Sequence, residues 1–384
     1  MKRLLLASAV FAALSIGFAS CEKEEDENQT GNEVLIVDDI TTATTWTSDN
    51  IYVIDGDIDV DANITIEPGT IIKFKTGASL GFGYTSNVTV TANGTADKRI
   101  VFTAYGSNPT PGSWDGVFFY NHVLQNSSLT YCDFLYAGYS DWPAVSFRCK
   151  LTFNNNIIKY AKLSGIDMDV DGSFVSMDGN TITDCGTHAI ALYPSAIHTL
   201  GVNNNITCKA GYGIFVNEGE VNSTTGTNLL WRKQPVQYIF DLGSVIETNL
   251  TIEAGTTLAF NAGAYLNFGY SANVTLTAVG TAANPITFTS SNTSPAAGAW
   301  RGLSLYGYTT PNTQFDYCNF NYGGYDGEQF IYAREVNGFT VKNCSFNNSA
   351  GWGIYLDYDA ALSGTSSNNT FTNCSLGEIY IYQE

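Results

Sequence analysis

Apolar and polar residues alternate in short runs along most of the chain. Examples are Ile64-Thr65-Ile66, Val88-Thr89-Val90, Gly165-Ile166-Asp167-Met168-Asp169-Val170, Gly213-Ile214-Phe215-Val216 and Gly353-Ile354-Tyr355-Leu356. A period of two turns one side of an extended segment inward and the other outward. The runs predict strands of three to five residues joined by Gly- and Asn-rich turns. Beyond the N-terminal stretch no segment carries a convincing amphipathic helical period.

A longer period spaces these strands. Asn or Cys, any residue, then Ile or Phe recurs as Cys132-Asp133-Phe134, Asn156-Ile157-Ile158, Asn180-Thr181-Ile182 and Asn204-Asn205-Ile206, in steps of 24. It returns as Cys318-Asn319-Phe320, Cys344-Ser345-Phe346 and Asn369-Thr370-Phe371, in steps of 26 and 25. One rung of this length cannot bury its apolar face alone, whereas rungs stacked at ~4.8 Å share a continuous core. The pattern predicts an all-β parallel solenoid. Its Asn amides would hydrogen-bond from rung to rung as a ladder, with Cys132, Cys318 and Cys344 at inward ladder positions.

The whole arrangement occurs twice. Gly112-Ser113-Trp114-Asp115-Gly116 returns 186 residues later as Gly298-Ala299-Trp300-Arg301-Gly302, and Phe82-Gly83-Tyr84 as Phe268-Gly269-Tyr270. We take residues 46–230 as copy one and 231–384 as copy two. Trp231 corresponds to Trp46, and copy one has an extra coil near Ala196 to Glu220. Duplication supplies an internal control. A residue kept in both copies is architectural, and one present in a single copy is the better functional candidate. By this test Arg148 and Arg334, 186 apart, are structural. His188 and His198 belong to copy one alone.

The first 20 residues read as an export signal. Lys2 and Arg3 precede an apolar stretch too short to span a bilayer. Phe18-Ala19-Ser20-Cys21 resembles a bacterial lipobox, which makes Cys21 the expected lipidated N-terminus. Residues 21–45 then form a tether whose acidic start, Glu22-Lys23-Glu24-Glu25-Asp26-Glu27, cannot bury itself. That start is similar to the surface-export signal of Bacteroidota lipoproteins, which implies an outer-membrane, cell-surface location held by the lipid anchor only. The formal charge is −19, and −21 once Lys2 and Arg3 leave, so nucleic acid is excluded as a partner. Seven cysteines remain after Cys21, too few by one for a complete disulfide set.

The Asn-x-Ile/Phe rung, the Gly-Ile-x-Leu/Val strands and Ile66-Glu67-Pro68-Gly69-Thr70-Ile71-Ile72 resemble the right-handed parallel β-helix, or pectin-lyase-like, superfamily over roughly residues 46–384. The resemblance implies the fold more than the activity, since lyases, hydrolases and adhesins share it. Its hydrolases use an Asn-Thr-Asp, Asp-Asp, Gly-His-Gly and Arg-Ile-Lys set to place an acid and a base across a glycosidic bond. That set as a whole is absent here. Its lyases need a basic residue, often with Ca²⁺, and only Arg99, Arg148, Arg232, Arg301 and Arg334 follow Cys21.

Two constellations remain as candidate sites. Asp167, Asp169 and Asp171, with Asp178 eleven residues after the first, match a Ca²⁺ loop by spacing. The alternating apolar residues argue instead for a strand, on which outward acids stand ~6.6 Å apart and cannot close on one ion. No other cofactor is expected. Asp57-Ile58-Asp59-Val60-Asp61 alternates in the same way, and its acids are expected to lack counterparts near Gly243. Tyr136, Tyr139 and Trp142, with Tyr322 and Tyr325 in copy two, suit stacking on sugar rings. The expectation is a non-catalytic surface protein that binds an extracellular polysaccharide or a surface protein. The alternatives are a lyase or hydrolase of acidic glycans, and a structural or adhesive role. The end at Ile379-Tyr380-Ile381-Tyr382 shows no polar cap.

Overall fold

The computed structural model describes residues 31–382. The expected leader, Cys21 and the acidic start of the tether lie outside the described residues. Within them the chain is a parallel β-solenoid with only three short 3₁₀ segments, and no helix is long and apolar enough to cross a membrane.

Copy one winds through three sheets. The first has eight strands, from Asn32–Ile36 to Asn205–Ile206. The second starts at Asp57–Val60, and the third runs from Thr44–Trp46 to Ser173–Ser176. The solenoid therefore begins before residue 46. Asn32–Ile36 pairs in parallel with Asn50–Ile54, and Thr44–Trp46 with Ile64–Ile66, so residues 32–45 of the expected tether belong to the fold. The apolar residues of Asn32–Ile36 are partly buried or exposed, as befits an end strand.

The two copies form one continuous solenoid, but copy two is turned by one face. Ile71–Phe74 lies in the first sheet, while its counterpart Thr257–Phe260 lies in the second. Ser79–Phe82 lies in the second, while its counterpart Tyr265–Phe268 lies in a fourth sheet that opens with Gly219–Val221. A fifth sheet, from Leu229–Trp231 to Ala361–Leu362, repeats the third. The second sheet thus runs through both copies with 13 strands. The join is Ile214–Val216 against Tyr238–Phe240. Equivalent surfaces of the two copies consequently face different directions.

The ladder forms as the spacing predicts. Asn156 Oδ1 accepts the Cys132 N–H at 2.8 Å, Asn180 Oδ1 the Asn156 N–H at 2.9 Å and Asn204 Oδ1 the Asn180 N–H at 2.9 Å. Each amide also donates to a carbonyl of the preceding coil: Leu129, Phe153 and Met177 respectively. Cysteine keeps only the second role. Cys132 Sγ donates to Ala92 O and Cys318 Sγ to Ala278 O, both at 3.3 Å. The residue before each ladder position turns left-handed, which explains Asn155, Gly179 and Asn203 in those places.

Rings fill the interior in axial stacks. Phe320 lies 4.8 Å from Phe288 and 4.7 Å from Phe346, which lies 4.8 Å from Phe371. Trp114 stacks on Phe74 at 3.9 Å and donates its indole N–H to Leu135 O. Trp300 does the same with Phe260 and Asn321 O. These conserved pairs are architectural in both copies. The seven described cysteines are free thiols. Burial pushes Cys149 and Cys185 up to about 12, which leaves them protonated and inert.

Candidate functional site

The outer surface of the second sheet carries a groove in copy one. Strand register aligns Asp59, Gly81, Phe118, Ser146 and Asp167 in one outward column. Gly81 and Ser146 are small, and the surface sinks there into a groove of about 400 Å³. Asp57, Asp59, Asp115 and Arg148 line it together with Tyr84, Phe118, Tyr120 and Trp142. Gly81 keeps the floor open, because a Cβ there would stand 2.5 Å from Asp59 Oδ1 and 2.9 Å from the Tyr120 ring.

The aromatic wall is exposed and braced. Trp142 is 49% exposed and meets Phe118 edge-on at 5.4 Å; Tyr84 is 57% exposed and meets Tyr120 edge-on at 5.1 Å. Contacts on one edge leave faces of both outer rings available.

Carboxylates dominate the electrostatics. Arg148, the cation in the lining, is committed to Asp169 at 3.1 Å and lies over the Tyr120 ring. Asp57 accepts the Ser79 hydroxyl at 2.7 Å. Burial raises the Asp59 pKa above the usual aspartate value, and Asp39, Asp61 and Asp57 raise it further. Burial and then Asp57 raise the Asp115 pKa, against a smaller opposing effect from Ser140. Asp115 Oδ1 is buried with no hydrogen-bond partner. The Tyr120 hydroxyl is raised by burial and by Asp59.

Copy two has a hollow of about 320 Å³ at the equivalent place, with different contents. At the offset of 186, Asp57 becomes Gly243, Asp59 Val245, Gly81 Asn267, Asp115 Arg301 and Trp142 Glu328. Arg301 and Glu328 neutralise each other at 3.2 Å. The acidic, ring-walled groove therefore belongs to copy one alone.

This amends the reading of Asp57 to Asp61. Asp57 and Asp59 have no acidic counterpart, but Asp61 has one in Glu247. Asp61 accepts the N–H groups of Thr85 and Ser86 and the Thr85 hydroxyl; Glu247 accepts those of Tyr270, Ser271 and Ala272. These two carboxylates tie down equivalent loops.

Of the five aromatic candidates the groove takes Trp142 only. Tyr136 stacks on Tyr160 at 4.9 Å, Tyr139 lies against Gly77, and Tyr322 and Tyr325 occupy the matching corner of copy two. The four acids of the Ca²⁺ spacing are not brought together. Asp167 stands on the second sheet, Asp169 pairs with Arg148, Asp171 is exposed, and Asp178 follows the third-sheet strand and accepts the Val202 N–H. Among the described residues no three His, Cys, Asp or Glu side chains are placed to hold a metal ion. Arg334 also pairs with a carboxylate and lies over a tyrosine ring, but its partners, Glu335 and Tyr358, are not the counterparts of Asp169 and Tyr120. His188 packs between Tyr212 and Phe215. Sequence reasoning missed Asp115 and Asp39, the second half of the Asp38-Asp39 pair. The copy comparison at 115 and 301 was the available signal for Asp115.

A family model described as a pectate-lyase like beta helix domain matches residues 38–136 and 237–330. No curated protein and no solved structure matches the chain. The two matched blocks fall one in each copy and together cover half of the chain. The chain therefore belongs to the pectate-lyase-like β-helix family.

Proposed function

We propose that this is a lipid-anchored, outward-facing surface protein whose copy-one groove binds a glycan chain without cleaving it. The observation that carries the reading is the pairing of exposed Trp142 and Tyr84 rings with the Asp57, Asp59 and Asp115 carboxylates in one groove. Rings stack on the apolar faces of sugars while carboxylates accept their hydroxyl hydrogens. Three acids against one committed Arg disfavour uronates, so a neutral chain fits better than an acidic one. The anchor and location rest on Lys2, Arg3, the apolar stretch and Cys21.

The test is retention of residues 21–384, purified without lipid, on neutral and acidic polysaccharides. Binding to a neutral chain is expected, with Trp142→Ala weakening it about tenfold, the loss of one ring contact. No retention on any glycan would overturn the reading.

A second reading has one observation in its favour. Asp115, held toward its protonated form beside Asp57, has the character of a general acid facing a second carboxylate. Release of new reducing ends, abolished by Asp115→Asn, would establish a hydrolase instead.

A further inference from the structure

The junction between the copies holds a hollow of opposite character. It measures about 350 Å³, and its lining includes Lys150, Asp178, His198 and Arg232. Three elements bring the basic groups together. Lys150 opens the strand Lys150–Asn154, and Arg232 follows Leu229–Trp231. His198 sits in the 3₁₀ segment Pro194–Thr199, which packs against both Ser173–Ser176 and Gly219–Val221. That segment belongs to the extra coil of copy one, so the hollow arises only where the two copies meet.

The cations here are uncommitted. Among the described residues Arg99, Arg148, Arg301 and Arg334 each hold a carboxylate, at 2.6, 3.1, 3.2 and 3.6 Å. Arg232 and Lys150 hold none within 4.0 Å. In a chain with 36 acids and 17 Lys and Arg, a fully ionised guanidinium without a partner is the exception that needs a reason. The acid in the lining, Asp178, already accepts the Val202 N–H at 2.7 Å. His198 Nδ1 is buried with no hydrogen-bond partner. Burial holds the His198 pKa below its usual value; the Ser195 backbone offsets part of this and the Lys150 ammonium adds to it.

We infer that this junction hollow binds an oxyanion, the sulfate or carboxylate group of an acidic ligand, between Arg232, Lys150 and His198. The planar guanidinium presents paired donors that match two oxygens of such a group, and the ammonium adds a point charge. An anion held there favours the protonated imidazole, which becomes a further donor, so binding takes up a proton. Affinity therefore rises as the pH falls through the His198 titration. Lys150 and Arg232 face the anion beside His198, and the Asp178 carboxylate in the same lining opposes it. The site does not depend on the copy-one groove, which is acidic and is lined by other residues on the second sheet.

The experiment is calorimetric titration of residues 21–384 with a sulfated oligosaccharide, an oligogalacturonate and inorganic sulfate, at pH values on both sides of the histidine range. Binding of at least one probe is expected, weakened about tenfold or more by Arg232→Met and by Lys150→Met. His198→Gln should flatten the pH dependence. Lys73→Met, remote from the hollow, should leave binding unchanged. Tighter binding of either saccharide than of sulfate would assign the anion to a glycan; equal binding would assign it to a small free oxyanion. Matching thermal midpoints would show that the variants are folded. The inference fails if no anionic probe binds, or if Arg232→Met binds as the parent does. Neither outcome touches the groove, which Trp142→Ala tests with neutral chains.

Discussion

At the scale of single residues, the Asn and Cys ladder shows how much a side chain must do to hold this fold. Asn180 is fully buried and serves two backbone groups: it accepts the Asn156 N–H and donates to Phe153 O. Removing it leaves both backbone groups buried without a partner, at about 1–3 kcal/mol each. Cysteine retains a donor but offers no comparable acceptor. Where Cys132 stands, the Ile100 N–H one coil earlier goes instead to Tyr131 O at 3.0 Å; where Cys318 stands, the Ile286 N–H goes to Tyr317 O at 3.1 Å. The backbone has been arranged to replace the missing amide. Asn180 has no such replacement, so Asn180→Ala should lower stability by about 2–4 kcal/mol and Asn180→Cys by roughly half of that. Urea unfolding of both variants measures this; equal losses would show that the thiol donor contributes nothing. The ladder was legible in the sequence because its step is regular and its chemistry is local to one residue type. The Cys exception was visible as a substitution, but its compensation lies in carbonyls that no side-chain pattern marks.

At the scale of strands, the groove is a consequence of register. Asp57 and Asp59 share one strand and stand opposite the short Ser79 and Gly81, so their charges reach each other and Asp115 across the groove. Asp59 and Asp115 respond with pKa values raised above the usual range. A carboxyl whose folded pKa exceeds its unfolded value binds protons more readily when folded. Its ionisation then costs stability at neutral pH, and the cost is relieved as the pH falls through the raised pKa. Asp115→Asn should therefore melt above the parent near pH 7, with the gap closing below the unfolded aspartate value of about 4. Thermal melts across that interval decide it. A variant less stable at pH 7 would mean that the fold favours the ionised carboxylate. Alternation made the strands legible and marked Asp57 and Asp59 as outward. It said nothing of which strands become neighbours across coils of unequal length, and Asp115, in a turn beside Trp114, reaches the groove that way. Spacing likewise suggested a Ca²⁺ loop at Asp167 to Asp178, and the intervening strand Ser173–Ser176 separates its ends.

At the scale of the molecule, the duplicated sequence does not give duplicated surroundings. The junction advances the chain by one face, so copy two lays its first strands on the second sheet of copy one. A sequence offset of 186 carries no information about rotation, because each strand is inward- and outward-patterned alike on all three faces. The extra coil is one full turn and does not cause the shift: Ile190–Leu192 and Ile214–Val216 are paired in register, with Leu192 opposite Val216. A solenoid is held by contacts between adjacent coils, and its energy is close to a sum over those neighbours. Removing a whole turn should therefore let the flanking coils close on each other, whereas removing a third of one should put every later strand on the wrong face. Deletion of residues 193–216 joins Leu192 to Asn217, whose N–H already bonds to Leu192 O at 2.8 Å. This variant should stay folded, keep the far-ultraviolet β signal, and melt within a few degrees of the parent. Deletion of residues 217–224 alone, which removes the strand Gly219–Val221, should leave the fourth sheet without its first strand and Pro194–Thr199 without its neighbour. Its melting temperature should fall well below that of the longer deletion. If the eight-residue deletion were the better tolerated of the two, stability would follow the number of residues lost rather than the phase of the coil.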